Sequence, residues 1–277
     1  MVEFCSNIIG LITDFGIKGA HYVASMKGII LKINPRVNII DISHNITQYS
    51  IIEASYIINT VYYNFPKGTI FIIVVDPGVG STREILLVKT KNDYYFIGPN
   101  NGIFSSLSLK NEIAECIHVK NDNYFNKPVS KTFHGRDIMA PVSAYITRGI
   151  KLNNFGTNFD TKNFKIIPLE CEISEKSKKI RCVIQYIDNF GNGITNILLE
   201  NNQIKNSTIK FEEGQIVEFE LNNRNYKAKF TTHFEAVSTD KILILKGSTD
   251  FLEISINLGN AAKKIGFEVG DKLVFTL

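Results

Sequence analysis

The stretch TIFIIVVDPGVGSTR, Thr69–Arg83, decides the fold class of this chain. Its first seven residues, Thr69–Val75, are all β-branched or aromatic, which predicts a strand buried on both faces, as in a parallel sheet. The strand runs into Asp76, and the Pro and Gly residues that follow predict a tight turn before Arg83. Ligands bind beyond the carboxyl ends of strands in open α/β sheets. The stretch therefore predicts an α/β layer with polar groups at one edge.

The same pattern extends on both sides of this stretch. Apolar runs of strand length alternate with helical patterns, and we predict strands at 8–13, 37–42, 69–75, 85–90 and 94–98 and helices at 22–33, 50–64 and 137–147. A β-α-β-α-β order favours an α/β N-terminal domain with a mainly parallel sheet.

Helical patterns nearly vanish beyond about residue 176, leaving a short one at 260–265. Short strands separated by turns are predicted instead, at 180–188, 193–197, 216–221, 226–231, 241–245, 251–256 and 272–276. This spacing is typical of an all-β barrel or sandwich. The Asn-, Thr- and Gly-rich stretch 151–165 favours a linker. We predict an α/β N-terminal domain at 1–160, a linker at 161–175 and a C-terminal β-barrel domain at 176–277.

Composition excludes several functions. The 277 residues are 44% hydrophobic and 21% charged, as in globular proteins, and length alone favours about two domains. The net charge of +4 is spread along the chain without a Lys/Arg block, so neither nucleic acid nor a membrane surface is a predicted partner. No apolar run reaches the roughly 18 residues of a membrane helix, and the first residues predict no secretory signal.

The four cysteines indicate a cytoplasmic location. Cys5, Cys116, Cys171 and Cys182 form no CxxC pair, so neither a zinc ribbon nor a thioredoxin-like site is indicated. We expect four reduced thiols. Any catalytic group in this chain is therefore expected to be a carboxylate, an arginine, a histidine or the backbone of a loop.

Four polar clusters stand out, at 13–16 (TDFG), 41–44 (DISH), 76–80 (DPGVG) and 132–137 (TFHGRD). The turn after Asp76 can bring that carboxylate beside Arg83 at a cleft. A local ion pair without further role is the alternative, and it stays open here. The glycines lack the spacing of a P-loop.

The remaining clusters have alternatives too. TDFG matches one kinase motif, but the rest of the kinase set is absent. Asp14 could accept hydrogen bonds from a ribose diol or could form an Asx turn. Asp137 could cap a helix while Arg136 is solvated. Asp14, Asp41, His44 and His134 could together hold a metal, but they lack ligand spacing, and no metal is predicted.

Two turns in the second half are polar as well. Asp188 ends a strand before Phe-Gly-Asn-Gly, where Asn-Gly is a hairpin signal. Ser248 lies in the turn Lys246-Gly247-Ser248, which precedes another apolar strand.

Taken together, these motifs resemble the S-adenosylmethionine (SAM) hydroxide adenosyltransferases, the adenosine-forming SAM hydrolases related to fluorinase and chlorinase. The matching stretches run in family order over nearly the whole chain: LITDFG (11–16), YVASMKGII (22–30), INP (33–35), VNIIDISHNI (37–46), FPKGTIFIIVVDPGVGSTR (65–83), GPNNGIF (98–104), TFHGRDIMAPVSAYI (132–146), IDNFGNGITNI (187–197) and GSTDFLEISINLGNAA (247–262).

The resemblance implies an α/β domain, a β-barrel and a homotrimer, with SAM between the N-terminal domain of one subunit and the C-terminal domain of its neighbour. It implies that Asp76, Arg83 and His134 position the attacking water. The implied substrate-binding residues are Asp14 for the ribose, Phe133 near the nucleoside, Asp188 and Ser248 for the methionine amino and carboxylate groups, and Asn192 with the backbone near Asn257 and Leu258 for adenine. The family commonly has Pro-Asp-Asn-Gly where this chain has Asn100.

The expected reaction is hydrolysis of SAM to adenosine and L-methionine, by attack of an activated water on the ribose C5′. The sulfonium leaves as a neutral thioether, so we expect no metal, no cofactor and no general acid. Asp76 would be a weak base, and His134 could relay the proton. A non-catalytic SAM- or adenosine-binding protein and a SAM-dependent halogenase are the alternatives. His134 favours the hydrolase over the halogenases, which lack this histidine.

Overall fold

A computed structural model of the chain describes residues 6–277, so Cys5 lies outside the described residues. The chain divides into two compact units, the first ending at Ile167 and the second beginning at Pro168. Cys116, Cys171 and Cys182 are unpaired thiols. In the described part of the chain, no helix combines the length and the apolar character needed to cross a membrane.

The first unit contains a seven-stranded sheet. Its strands in chain order are β1 (Ile8–Thr13), β2 (Asn38–Ser43), β3 (Ile70–Val74), β4 (Ile85–Thr90), β5 (Tyr95–Pro99), β6 (Ile113–Val119) and β7 (Gly156–Asn158), arranged in space as β2-β1-β3-β5-β4-β6-β7. Every residue of β3 is buried, as the apolar run predicts. The α/β prediction is confirmed.

The sheet is mixed, which corrects the expectation of a mainly parallel one. Pairs β1–β2, β1–β3 and β3–β5 are parallel, whereas β4–β5, β4–β6 and β6–β7 are antiparallel. A short turn joins β4 to β5, and parallel neighbours need a crossover of a dozen or more residues. The 151–165 stretch also belongs to this unit, because it supplies β7 and the fully buried Phe155.

Four helices accompany this sheet: α1 (Ala20–Ile33), α2 (Ile51–Val61), α3 (Ser105–Leu109) and α4 (Ala140–Thr147). Helix α2 begins after Ser50, whose Oγ accepts a hydrogen bond from the Glu53 N–H at 3.4 Å. Helix α4 begins later than the predicted 137, because a π-helical turn, Gly135–Met139, precedes it. This turn places the TFHGRD cluster at the sheet edge that carries Val74.

The second unit is a closed barrel of seven strands. Strands β8 (Glu172–Ser174), β9 (Lys179–Ile187), β10 (Gly193–Glu200), β11 (Gln203–Ile204), β12 (Ile216–Leu221), β13 (Arg224–Thr231), β14 (Ile242–Lys246), β15 (Phe251–Ile256) and β16 (Lys272–Thr276) form one sheet. It closes because β9 also pairs with β10, leaving β8 and β11 outside. Alternate residues of β12 are buried, as a one-sided core requires. The barrel prediction is confirmed, whereas the predicted helix at 260–265 is only a π-helical turn, Ala262–Gly266.

Candidate active site

The first unit has a cleft beyond the carboxyl ends of β1 and β3, with a volume of about 260 Å³. We call it the N-terminal cleft. Its lining residues come from four loops, helix α1 and the end of β3: Asp14, Phe15, Tyr22, Gln48, Tyr49, Val74, Asp76, Val79, Thr132, Phe133, His134 and Gly135. Three of the four polar clusters from the sequence therefore contribute to one cavity.

Asp76 and Arg83 form a buried, two-pronged ion pair at this cleft. The Arg83 Nε donates to both Asp76 oxygens, at 2.7 and 2.8 Å, and Nη2 also donates to Oδ2. The side chains are only 4% and 5% exposed. Such a forked, charge-assisted contact fixes the carboxylate in the plane of the guanidinium. The turn through Pro77 and Gly78 does bring the two charges together.

The ion pair extends to a third side chain, His134. Nη2 of Arg83 lies 2.9 Å from Nδ1 of His134. A guanidinium has no acceptor, so Nδ1 must accept this hydrogen bond and the neutral ring carries its proton on Nε2. Burial, and then the charge of Arg83, lower the pKa of His134 below its ordinary value. His134 is therefore a neutral Nε2–H donor, whereas a proton relay would need a free acceptor.

The loops that carry these groups approach each other at Gly80. Its φ is +79°, and a side chain there would collide with the backbone carbonyl of Lys131. Gly135 is close-packed too, since a Cβ would come within 3.0 Å of the Val74 methyl Cγ2. Two glycines thus let the 76–83 turn and the 131–135 loop meet closely enough for Arg83 to reach His134.

Asp137 fixes the loop that leads to His134. It is fully buried and accepts hydrogen bonds from Arg136 Nε and Nη2 at 2.7 and 2.8 Å, Asn126 Nδ2 at 2.7 Å and the Ser130 N–H at 2.9 Å. Burial acts to raise the pKa of Asp137, but these donors outweigh it and lower the pKa. Arg136 is therefore paired, which differs from the solvated arginine of the capping interpretation.

Asp14 and Phe133 form another part of the cleft. Asp14 Oδ2 accepts a hydrogen bond of 2.9 Å from the Tyr49 N–H, which holds Tyr49 at a φ of +67°. Burial, with a smaller contribution from Asp76, raises the pKa of Asp14. The Phe133 ring packs edge-on against Phe15 and Tyr22, with centroids 5.9 and 5.2 Å apart. Asp14 thus lies in the cleft beside an aromatic wall.

The DISH cluster does not line this cleft. His44 Nδ1 lies 3.0 Å from Thr13 Oγ1, and Asp41 accepts a 2.6 Å hydrogen bond from Lys27 Nζ. Asp41 and His44 thus brace β2 against its neighbours. Across residues 6–277, no group of three or more His, Cys, Asp or Glu side chains is arranged as a metal site.

Asn100, the departure from the family pattern, is buried and uses both ends of its amide. Its Nδ2 donates to Glu84 Oε2 at 3.1 Å and to the Asn163 carbonyl at 3.3 Å, and its Oδ1 accepts from the Lys165 N–H at 3.0 Å. A carboxylate could not donate to Glu84. A neutral amide at residue 100 therefore suits the contact with Glu84, the residue that follows Arg83.

The second unit has its own cleft, with a volume of about 1180 Å³. We call it the C-terminal cleft. The predicted residues Asp188, Asn192, Ser248, Asn257 and Leu258 all line it, although they come from three separate loops. The family resemblance named all five, and the structure brings them to one cleft.

Most polar groups of this set are already engaged. Asp188 Oδ1 accepts from the Phe190 and Asn192 N–H groups, both at 2.9 Å, and Oδ2 accepts from Asn192 Nδ2 at 2.8 Å. Asn257 Nδ2 donates to the Val237 carbonyl at 2.7 Å. Leu258, at a φ of +53°, is 85% exposed at the rim. Asp188 thus holds the 188–192 turn in shape.

Sequence reasoning missed Glu253, which also lines the C-terminal cleft. Burial, and then the charge of Asp188, raise the pKa of Glu253 to about 7. The available signal was a single acidic residue within the otherwise apolar or neutral strand FLEISI. An acidic residue that lies in a cleft and has a raised pKa is a candidate for binding a ligand.

The fold and the two clefts define a class: an α/β unit with a buried Asp-Arg-His cluster, in one chain with a closed β-barrel that carries a polar cleft of its own. Family comparison agrees. The SAM hydroxide adenosyltransferase N-terminal domain matches residues 9–156, and the C-terminal domain of that family matches residues 182–274. The chain belongs to the SAM hydroxide adenosyltransferase family.

Individual relatives support this assignment. The chain is 34% identical over 277 residues to an (R)-S-adenosyl-L-methionine hydrolase of Methanocaldococcus jannaschii, covering 96% of this chain and 95% of the relative. It is 28% identical over 172 residues to a fluorinase of Actinoplanes sp., covering 54% and 57% of the two chains. The crystal structure of an uncharacterized conserved protein from Thermotoga maritima aligns with a TM-score of 0.88 at 33% identity, covering 97% of this chain and 100% of that one.

Proposed function

We propose that this protein hydrolyses the (R)-sulfonium epimer of SAM to adenosine and L-methionine. The observation that carries the proposal is the cluster in which one guanidinium holds both the Asp76 carboxylate and Nδ1 of His134 at the N-terminal cleft. Family membership gives the substrate class, and the name of the Methanocaldococcus jannaschii relative suggests the epimer.

In the proposed reaction, a water oxygen forms a bond to C5′ while the C5′–S bond breaks. The sulfur leaves with the electron pair as the neutral thioether of methionine. Asp76 accepts a hydrogen bond from the water and takes up its proton, which then passes to solvent. Oδ1 of Asp76, which accepts only one hydrogen bond from Arg83, can accept another from the water. No cofactor is needed, because the leaving group requires neither acid nor Lewis acid.

His134 orients the water in this proposal. Its Nε2–H donates to a lone pair of the water oxygen and leaves the other lone pair free for C5′. Arg83 keeps the imidazole in this tautomer, since it occupies Nδ1. Positioning of this kind supplies much of the rate in reactions that need an oriented nucleophile.

The substrate roles follow the family resemblance. Asp14 and Phe133 would hold the nucleoside ribose, whereas Asp188, Asn192, Ser248, Asn257 and Leu258 would hold the methionine and adenine parts. The position of Asp14 and Phe133 in the N-terminal cleft and the shared lining of the C-terminal cleft support this division. We further propose a homotrimer with active sites at subunit interfaces, which light scattering of the purified protein tests.

A cytoplasmic location is part of the proposal. Three unpaired thiols, Cys116, Cys171 and Cys182, suit a reducing compartment. Fractionation of cells that express the protein tests this.

The activity itself is tested by incubating the pure protein in ¹⁸O-water, once with (S)-SAM alone and once with the mixture of sulfonium epimers. We expect adenosine with ¹⁸O at the 5′ position, formed chiefly from the (R) epimer. Unchanged SAM would indicate a binding protein, and 5′-halo-adenosine in the presence of fluoride or chloride would indicate a halogenase. Adenosine from the (S) epimer at the same rate would contradict the epimer assignment.

A further inference from the structure

We propose that His44 is a positioning residue, whose side chain holds the 13–16 loop so that the Asp14 carboxylate faces the ribose. The inference rests on the proposed function, because it concerns the residue that sets one contact of the same substrate. His44 lies behind the N-terminal cleft and is not among its lining residues, so it acts on the substrate only through the loop.

The first observation is that His44 binds the loop on both sides of Asp14. Its backbone carbonyl accepts a hydrogen bond of 2.7 Å from the Gly16 N–H, and its Nδ1 lies 3.0 Å from Oγ1 of Thr13. The same Thr13 oxygen accepts a hydrogen bond of 3.3 Å from the Phe15 N–H. The residues before and after Asp14 are thereby tied to one residue of the loop that follows β2.

The second observation is the surroundings of the imidazole, which give these hydrogen bonds a direction. Nε2 of His44 is withdrawn from water and lies 3.1 Å from Oδ1 of Asp41. A carboxylate at this distance favours the tautomer with the proton on Nε2, which leaves Nδ1 as an acceptor. The Thr13 hydroxyl therefore donates to Nδ1 and keeps its lone pairs for the Phe15 N–H. Because Thr13 is fully buried, water cannot replace His44 as the partner of this hydroxyl.

The third observation is that Asp41 is anchored in turn to helix α1. Nζ of Lys27 donates a hydrogen bond of 2.6 Å to Oδ2 of Asp41, so the other oxygen is available to His44. Asp41 lies on β2, and Lys27 lies on the helix that follows the 13–16 loop. The contacts therefore run from the helix after the loop, across β2, to the strand residue that precedes Asp14. Hydrogen bonds of this kind fix the orientation of a binding side chain that they do not themselves replace.

The proposal is tested by the preference of the full-length protein for adenosine over 2′,3′-dideoxyadenosine, measured by calorimetric titration. This ratio reports the contacts of the ribose hydroxyls, and a network that only braced β2 would not change it. We expect the wild type to prefer adenosine about tenfold and His44→Ala to keep a preference of about twofold or less. His118→Ala, at another half-buried histidine of the same sheet, is the matched control and keeps the wild-type preference.

Conservative variants show which hydrogen bond matters. In His44→Asn the amide oxygen takes the place of Nδ1 and accepts the Thr13 hydroxyl, so we expect a preference within about twofold of the wild type. In His44→Gln the amide reaches the place of Nε2 and leaves the hydroxyl without an acceptor, so we expect the loss seen in His44→Ala. Thr13→Val keeps the shape of the buried side chain and should show the same loss, which tests the proposal independently of changes at residue 44. Thermal unfolding shows that each variant is folded.

An Asp14→Asn background shows whether His44 acts through Asp14. We expect Asp14→Asn alone to remove most of the preference for adenosine. Adding His44→Ala to it should change the remaining preference less than about twofold, because two substitutions that break the same contact are not additive.

The inference is overturned if the wild type does not prefer adenosine, if His44→Ala and Thr13→Val keep the wild-type preference, or if His44→Ala weakens both nucleosides equally. An effect of His44→Ala that is as large in the Asp14→Asn background as alone would overturn it too. A protein whose ribose preference depends on His44 but that releases no adenosine from SAM would refute the proposed function alone. A SAM hydrolase whose ribose preference ignores His44 would refute this inference alone.

Discussion

The N-terminal cleft and the C-terminal cleft differ in how their charged side chains are satisfied. In the first, Asp76, Arg83 and His134 satisfy one another and are held in place by surrounding backbone. In the second, Glu253 has a raised pKa and lacks a protein donor within the described residues. The difference shows that the charged groups of the first cleft hold one another in place, whereas Glu253 in the second is not held by a donor within the described residues.

The strongest test of this contrast is Asp76→Asn. The amide keeps the shape but removes the charge that faces Arg83 and the acceptor for the water proton. We expect turnover to fall about 10³-fold while the affinity for SAM changes less than threefold. Steady-state kinetics and equilibrium binding check both values, with thermal unfolding to show that the variant folds. Turnover within tenfold of the wild type would contradict the role of Asp76 as acceptor of the water proton.

Arg83→Lys tests whether the forked geometry matters beyond the positive charge. Lysine cannot reach both Asp76 oxygens and Nδ1 of His134 with a planar group, so we expect kcat to fall about 10²-fold. The KM of this variant for SAM should change little, because Arg83 is not proposed to touch the substrate. A variant with wild-type kcat would show that the cluster is an ordinary ion pair, the alternative that the sequence left open.

Substitutions of His134 separate a donor from a base. The Gln amide can replace the Nε2–H, so we expect His134→Gln to lose about tenfold in kcat and His134→Ala about 10²-fold. Equal losses in both variants would favour the proton-relay role instead.

The pH dependence of kcat provides an independent check of the role of His134. Because the pKa of His134 is lowered, the ring stays neutral from pH 8 down to its ordinary range near pH 6.5. Wild-type kcat should therefore hold steady across that interval and fall only at lower pH, where a protonated Nδ1 would face Arg83. A loss of activity centred above pH 7 would contradict this assignment.

The smallest expected effect belongs to Asn100→Asp, which places a second carboxylate beside Glu84. We expect a loss of about 0.5–1 kcal/mol of stability at pH 7, given the partial solvent screening of Glu84, and a raised pKa of Glu84. The loss should shrink at pH 4, where one carboxyl is protonated. Chemical denaturation at both pH values measures this, and a stabilised variant would contradict the account of the amide.

The sequence alone predicted the strands well, because β3 and the barrel strands carry strong local patterns. The Asp76–Arg83 contact was predictable for the same reason, since one tight turn joins the two residues. The contact of Arg83 with His134 was not, because it depends on loops 51 residues apart. The antiparallel half of the first sheet was missed because β6 and β7 have weak patterns, and because the α/β rhythm outweighed the short connection between β4 and β5, which requires antiparallel pairing. Glu253 was missed because its strand resembles any buried one.

Gly80 is the point at which the two loops of the Asp-Arg-His cluster come closest to each other. The gap between the Asp76–Arg83 turn and the His134 loop is already at its minimum, because a hydrogen atom is all that faces the Lys131 carbonyl. Any side chain at residue 80 would force the two loops apart and separate Arg83 from His134. The absence of a side chain at residue 80 thus keeps Arg83 within reach of His134.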